Sequence, residues 1–236
     1  MEYTKLSVNI NKFALVRNAR GYLPDILKIA QLCETFGADG ITIHPRPDER
    51  HITKKDVYDL KKIITKEYNI EGYPTEDFIK MVCEVKPTQV TLVPDAPQQL
   101  TSDHGWDIIK NESFLQSVIT TLHQSGCSVS IFVDTESHNL DAAKRIAVDS
   151  IELYTGAYSQ DPEVYISRYK TAANHARDIG LKVNAGHDLN LNNLALLKQN
   201  IPFLSEVSIG QALVCDAWIL GLDNTINLYK RLLTLP

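Results

Sequence analysis

Gly40-Ile-Thr-Ile-His-Pro-Arg-Pro-Asp-Glu-Arg-His51 is the stretch from which the rest of the chain can be read. Gly40 to Ile43 has the β-branched character of a short buried strand, and it follows a helical segment that stops at Phe36-Gly37. Directly after it come His44, Arg46, Arg50 and His51, with Pro45 and Pro47 stiffening the backbone between them. A guanidinium offers a planar fork to a phosphate, and an imidazole titrates near neutral pH. The loop therefore suits an anionic ligand. Taken singly, each residue is equally at home in a solvated loop; it is the cluster that points to a site.

The same helix–strand–polar-loop unit recurs along the chain. Further strands are expected at Lys5–Ile10, Asn69–Pro74, Thr88–Val93, Cys127–Val133, Ser150–Tyr154, Leu181–Asn184 and Leu204–Ile209. Helices are expected from Pro24, from Thr53 with Asp56 completing a capping pattern, from Thr75, and on to a last helix ending near Leu233. Arg17-Asn-Ala-Arg-Gly21 reads as a basic loop. The strands are short and rich in Val and Ile, as expected of strands buried on both faces. Eight such units predict an α/β fold, a single-domain (β/α)8 TIM barrel over 1–236. The rival is an open doubly wound sheet. That fold would need a glycine-rich first turn to bind a dinucleotide, and after Ile10 the chain reads Asn-Lys-Phe-Ala. Residues 94–110, with Pro94, Pro97 and Gly105, have little periodicity, and a loop that long in a compact domain is usually functional or mobile.

The 236 residues are 44% hydrophobic and 22% charged, which is enough for a sizeable core. A net charge of −5 argues against a broad nucleic-acid surface. Cys33, Cys83, Cys127 and Cys215 are far apart and read as buried thiols of a reducing compartment. No signal-like N-terminus or bilayer-length apolar run is present, so a soluble, cytoplasmic protein without membrane partners is expected.

Chemistry in a barrel belongs at the C-terminal ends of the strands. There the chain places Asn9, His44 with Arg46, Glu71, Glu152, His187 and Gly210. Glu71 stands among Ile70, Gly72 and Tyr73 and suits a proton acceptor; the alternative is a structural Glu paired with a barrel cation. His187 follows Gly186, which permits a sharp turn, and a His satisfied by carbonyls is the other reading. Glu152 could orient a catalytic group or be structural. No metal is expected, since no close His/Cys ligand spacing appears. Gly186-His-Asp188 and Gly210-Gln211-Ala212 could offer backbone N–H groups to a phosphate, so Asp188 and Gln211 would serve through the main chain. The Asp188 carboxylate would then have to point away. Arg46, His51 and Thr101 could form a second anion site.

These stretches resemble the pyridoxine 5'-phosphate synthase family. The matching segments are Val8-Asn-Ile10, Arg17-Asn-Ala-Arg-Gly21, Gly37 to His44, Arg50-His-Ile-Thr53, Asn69-Ile-Glu71, Leu92-Val-Pro94, Ile151-Glu152 with Thr155-Gly156, Gly180 to His187 and Ile209-Gly210. They run through almost the whole chain in order. The resemblance implies condensation of 3-amino-2-oxopropyl phosphate with 1-deoxy-D-xylulose 5-phosphate, without cofactor or metal. It implies His44 and Glu71 as proton acceptors, His187 as proton donor and Glu152 as transition-state stabiliser. Asn9, Arg20 and Gly210 would hold the amino ketone phosphate, and Arg46, His51 and Thr101 the sugar phosphate. It also implies a homo-octamer and a lid from Pro94.

The chain departs from the family pattern at Asn11-Lys12 in place of Asp-His, at Asp188 in place of Gly, at Gln211 in place of His, and at Cys215-Asp216 in place of Gly-Arg. Two other readings stay open. One is a barrel aldolase or isomerase on another sugar phosphate, for which Lys182 is the candidate Schiff-base lysine. The other is a non-catalytic binding paralogue.

Overall fold

Residues 3–96 and 98–234 are described by a computed structural model; Pro97 of the long segment lies outside them. Strand and helix alternate as β1 (Lys5–Asn9), α1 (Asn11–Asn18), α2 (Ile26–Thr35), β2 (Gly40–Ile43), α3 (Lys54–Ile63), β3 (Glu67–Gly72), α4 (Glu76–Val85) and β4 (Gln89–Leu92). There follow α5 (Glu112–Gln124), β5 (Ser128–Val133), α6 (Ser137–Arg145), β6 (Ser150–Tyr154), α7 (Gly156–Gln160), α8 (Pro162–Asp178), β7 (Lys182–Gly186), α9 (Leu194–Asn200), β8 (Glu206–Ile209), α10 (Gln211–Leu220) and α11 (Leu222–Thr234). Each strand pairs in parallel with the next, and β8 pairs with β1 to close the (β/α)8 barrel.

Local chemistry explains several boundaries. The Thr53 side chain accepts from the Asp56 N–H while Asp56 accepts from the Thr53 N–H, the reciprocal cap anticipated for α3. Thr75 caps α4 and Asp25 caps α2. Two helices were not expected. α1 has no side-chain cap and no acid in its first turn, so nothing local announces it. It is held by tertiary contacts: Phe13 and Ala14 are buried, and Arg17 grips Asp56 with two bonds of 2.6 and 2.8 Å. Arg17 and Asn18 thus end a helix rather than begin a basic loop. The five-residue α7 is the other. The last helix is divided, with Gly221 at φ +83 between α10 and α11.

The strands are not apolar on both faces. Gln89 of β4 reaches Glu206 of β8 at 3.4 Å, and those strands stand on opposite sides of the barrel. The bond can cross only the lumen. By alternation Thr91 and Ser208 point the same way, while Val90, Leu92, Val207 and Ile209 face the helices. The lumen continues polar through Ser7 with Thr42 at 2.7 Å, Asn69 with Thr42 at 3.3 Å, and Thr91 with Asn69 at 3.0 Å. Glu67 joins this layer by meeting Lys5 at 2.5 Å, so β3 begins two residues before the expected Asn69. The apolar core accordingly lies between barrel and helices. Lys182 is exposed at the first residue of β7, at the barrel end opposite the strand C-termini, so no Schiff-base role in the mouth follows from it. Among the described residues no helix is long and apolar enough to cross a membrane.

Candidate active site

A cavity of about 490 Å³ opens at the C-terminal ends of the strands. Asn9, His44, Arg46, His51, Glu71, Thr101, Glu152, His187, Asp188, Gly210 and Gln211 all line it. Arg20 is the expected site residue that does not: it is exposed, beyond the end of α1.

His44 and Glu71 form the centre. His44 Nδ1 is 3.7 Å from Glu71 Oε2; the His44 side chain is buried and that of Glu71 only slightly exposed. Burial drives the His44 ring well below its ordinary range, reinforced by the charges of Arg46, His51 and Arg50. Burial drives the Glu71 carboxyl well above its range, reinforced by Glu152 and Asp95 and opposed by Arg46. Glu152 is raised by burial to about 7, against a hydrogen bond from Thr91. Its Oε2 is buried with no hydrogen-bond partner among the described residues. Asn9 donates weakly to Glu71 at 3.5 Å, and its own oxygen accepts from the Asn11 N–H at 3.1 Å. Asn11 Oδ1 in turn accepts the His44 backbone N–H at 3.0 Å. Asn11 therefore fixes the end of β2, a role that only the three-dimensional pairing of β1 and β2 reveals.

His187 sits on a turn that few side chains could form. A Cβ on Gly186 would lie 2.1 Å from Glu152 Oε1, so the glycine makes room for that carboxylate. His187 and Asp188 then take φ values of +87 and +57. The Thr155 hydroxyl lies 2.7 Å from the Gly186 carbonyl and 2.5 Å from the His187 carbonyl, clamping the turn. The His187 ring packs edge-on against Tyr154, and its Nε2 is 3.1 Å from Thr101 Oγ1.

The anion-binding side is built on the β2 loop. His51 Nδ1 accepts the Ile52 N–H at 3.0 Å, which leaves the ring proton on Nε2. Burial, followed by the Arg46, Lys12 and Arg50 charges, lowers His51 to about 4, so its ring is a neutral donor at pH 7. Asn18 holds this loop through the carbonyls of Arg50 and His51 at 3.0 and 2.9 Å. Arg46 pairs with Asp95 at 2.6 Å, and Ser102 donates to the same oxygen at 2.7 Å. Arg46 and Arg50 each reach the Gln99 carbonyl at 3.2 Å. The segment after β4 is thereby folded over the cavity, with Thr101 touching His187. Across the mouth, Gly210 precedes α10, and the Gln211 side-chain amide donates to Cys215 Sγ at 3.3 Å.

Solved structures that share the fold include a native KDPGal structure, 9% identical with a TM-score of 0.65 over 100% of this chain and 98% of that one. Another is phosphoribosyl anthranilate isomerase in complex with reduced 1-(o-carboxyphenylamino)-1-deoxyribulose 5-phosphate, 13% identical with a TM-score of 0.63 over 98% of each chain. Sequence relatives are far nearer. The pyridoxine 5'-phosphate synthase of Cytophaga hutchinsonii is 55% identical over 97% of this chain and 98% of its own. That of Parabacteroides distasonis is 54% identical over 98% and 99%. Residues 6–235 match the family described as "Pyridoxal phosphate biosynthesis protein PdxJ". With that match and more than half its residues shared with these relatives, the chain belongs to the PdxJ family, the pyridoxine 5'-phosphate synthases.

Proposed function

We propose that this enzyme condenses 3-amino-2-oxopropyl phosphate with 1-deoxy-D-xylulose 5-phosphate to give pyridoxine 5'-phosphate, inorganic phosphate and water. His44, Glu71, His187 and Glu152 supply the acid–base chemistry. The observation that carries this reading is the His44–Glu71 pair, 3.7 Å apart in a buried cavity that Glu152 and His187 also line. Schiff-base formation, eliminations and an aldol-type closure need proton acceptors and donors on several sides of one substrate. Burial keeps the His44 ring neutral and raises the basicity of the Glu71 carboxylate, which suits both to accept protons. The unpartnered Glu152 oxygen is available to a hydrogen-bonding group of the reacting molecule.

Arg46, His51 Nε2 and Thr101 hold the sugar phosphate under a lid formed by residues 94–110. Asn9, Gly210 and the backbone of Asp188 and Gln211 receive the amino ketone phosphate. Arg20 was also assigned to that phosphate, and its exposed place outside the cavity gives the assignment no geometric support in one chain. The protein acts as a homo-octamer. Leu15 and Val16 of α1 and Trp218 and Ile219 of the adjoining α10 are exposed, the kind of apolar surface that subunit contacts cover. It works in the cytoplasm, in keeping with four free cysteines.

Single-turnover assays with His44→Asn and His187→Asn test the chemistry. Both variants lose most product formation while still binding the two substrates. Wild-type rates in both would remove the acid–base assignment.

A further inference from the structure

His187 and the residue after it form an arrangement that neither the phosphate nor the lid accounts for. The Asp188 carboxylate folds back on the preceding ring, with Oδ2 at 2.9 Å from His187 Nδ1. We propose that Asp188 is a positioning residue for His187: its side chain stands against Nδ1 and holds the ring with Nε2 toward the lid side of the cavity. This rests on the assignment of His187 as the proton donor.

Three features carry the inference. The first is the backbone. Two successive non-glycine residues at positive φ, with both neighbouring carbonyls clamped by Thr155, are a costly conformation, and it is this conformation that brings the two side chains together. The second is the placing of the ring's two nitrogens. Nε2 faces Thr101 at 3.1 Å, so Nδ1 is the nitrogen turned away from the lid, and Asp188 is there. Nδ1 is buried and has no hydrogen-bond partner among the described residues, so the carboxylate acts on it by charge and contact. The third is the fate of the carboxylate's charge. Contact with His187, with a further contribution from Lys12 of α1, holds the Asp188 carboxyl below its usual range against partial burial. An anionic side chain beside a phosphate-binding turn would otherwise repel the ligand; here its charge is directed at His187 and Lys12.

A proton donor must carry its proton before it gives it. A carboxylate 2.9 Å from one ring nitrogen fixes which nitrogen faces the cavity. Tyr154 of β6 packs edge-on against this ring and the uncharged Thr101 meets its Nε2, so neither takes the place of Asp188 at Nδ1.

Asp188→Asn and Asp188→Gly suit the test because both residues tolerate a positive φ, so both variants are expected to fold. Steady-state kinetics over pH are expected to give a kcat lower by roughly tenfold, with both KM values little changed. Unchanged kcat would overturn the proposal. So would a raised KM at constant kcat, which would give Asp188 to the phosphate instead. His187→Asn is measured alongside. Full turnover in that variant would sink the His187 assignment itself. Loss of turnover there, with Asp188→Asn matching wild type, would sink only the role of Asp188.

Discussion

His44 Nδ1 and Glu71 Oε2 face each other at 3.7 Å inside the barrel mouth, and burial pushes each toward its neutral form. Burial leaves the His44 ring neutral and makes an ionised Glu71 the stronger base, so Glu71 accepts a proton in its carboxylate form and His44 in its neutral form. Glu71→Gln keeps the shape and removes the acceptor. Its kcat is expected to fall by at least ~10²-fold, within the general-base range, with unchanged far-ultraviolet circular dichroism. Near-normal turnover would take Glu71 out of the chemistry.

Glu152 links the site to stability. Its folded-state carboxyl titrates at about 7 rather than 4.5, so the folded protein holds a proton that the unfolded chain releases. That contribution is fully present below about pH 4.5 and is lost as pH rises through 7. Above that pH, folding must bury a charge. Glu152→Gln avoids this, and its stability relative to wild type should grow with pH, to about 3 kcal/mol at pH 8 and under about 1 kcal/mol at pH 5. Urea unfolding at the two pH values measures the difference. A gain independent of pH would contradict the titration.

Gly186 separates stability from function. An added Cβ would meet the far end of the Glu152 side chain, which can swing aside, rather than backbone. Gly186→Ala should therefore melt within a few degrees of wild type yet lose at least ~10-fold in kcat, because Glu152 is displaced from the reacting centre. Equal loss of both would mean that the turn itself had collapsed.

Arg46 is tied to the segment after β4 through Asp95 and the Gln99 carbonyl and lines the cavity as well. Arg46→Ala is expected to raise the KM for the phosphosugar by ~10-fold or more, with a smaller effect on that for the amino ketone. An unchanged phosphosugar KM would put that phosphate elsewhere.

The barrel was legible because each unit carries its own signals: β-branched runs, caps at Thr53 and Thr75, and a glycine before β2 and after β8. The cavity-lining residues were legible for a related reason, since they follow their strands directly. The polar lumen was written in alternations such as Glu206-Val-Ser-Ile209. That period also describes a half-exposed strand, and only closure of the barrel turns its polar face inward. α1 had no cap to announce it. The contacts of Asn11 with His44, of Arg46 with Asp95 and of Asp188 with His187 depend on backbone geometry that neighbouring letters do not encode. The exposure of Arg20 is likewise set by how α1 packs.

The most direct measurement is turnover of the purified protein with 3-amino-2-oxopropyl phosphate and 1-deoxy-D-xylulose 5-phosphate together, scored by mass spectrometry for pyridoxine 5'-phosphate. The site described here predicts product that requires both substrates and falls at least ~10²-fold with Glu71→Gln. Folded protein that binds both substrates and forms no pyridoxine 5'-phosphate would contradict it.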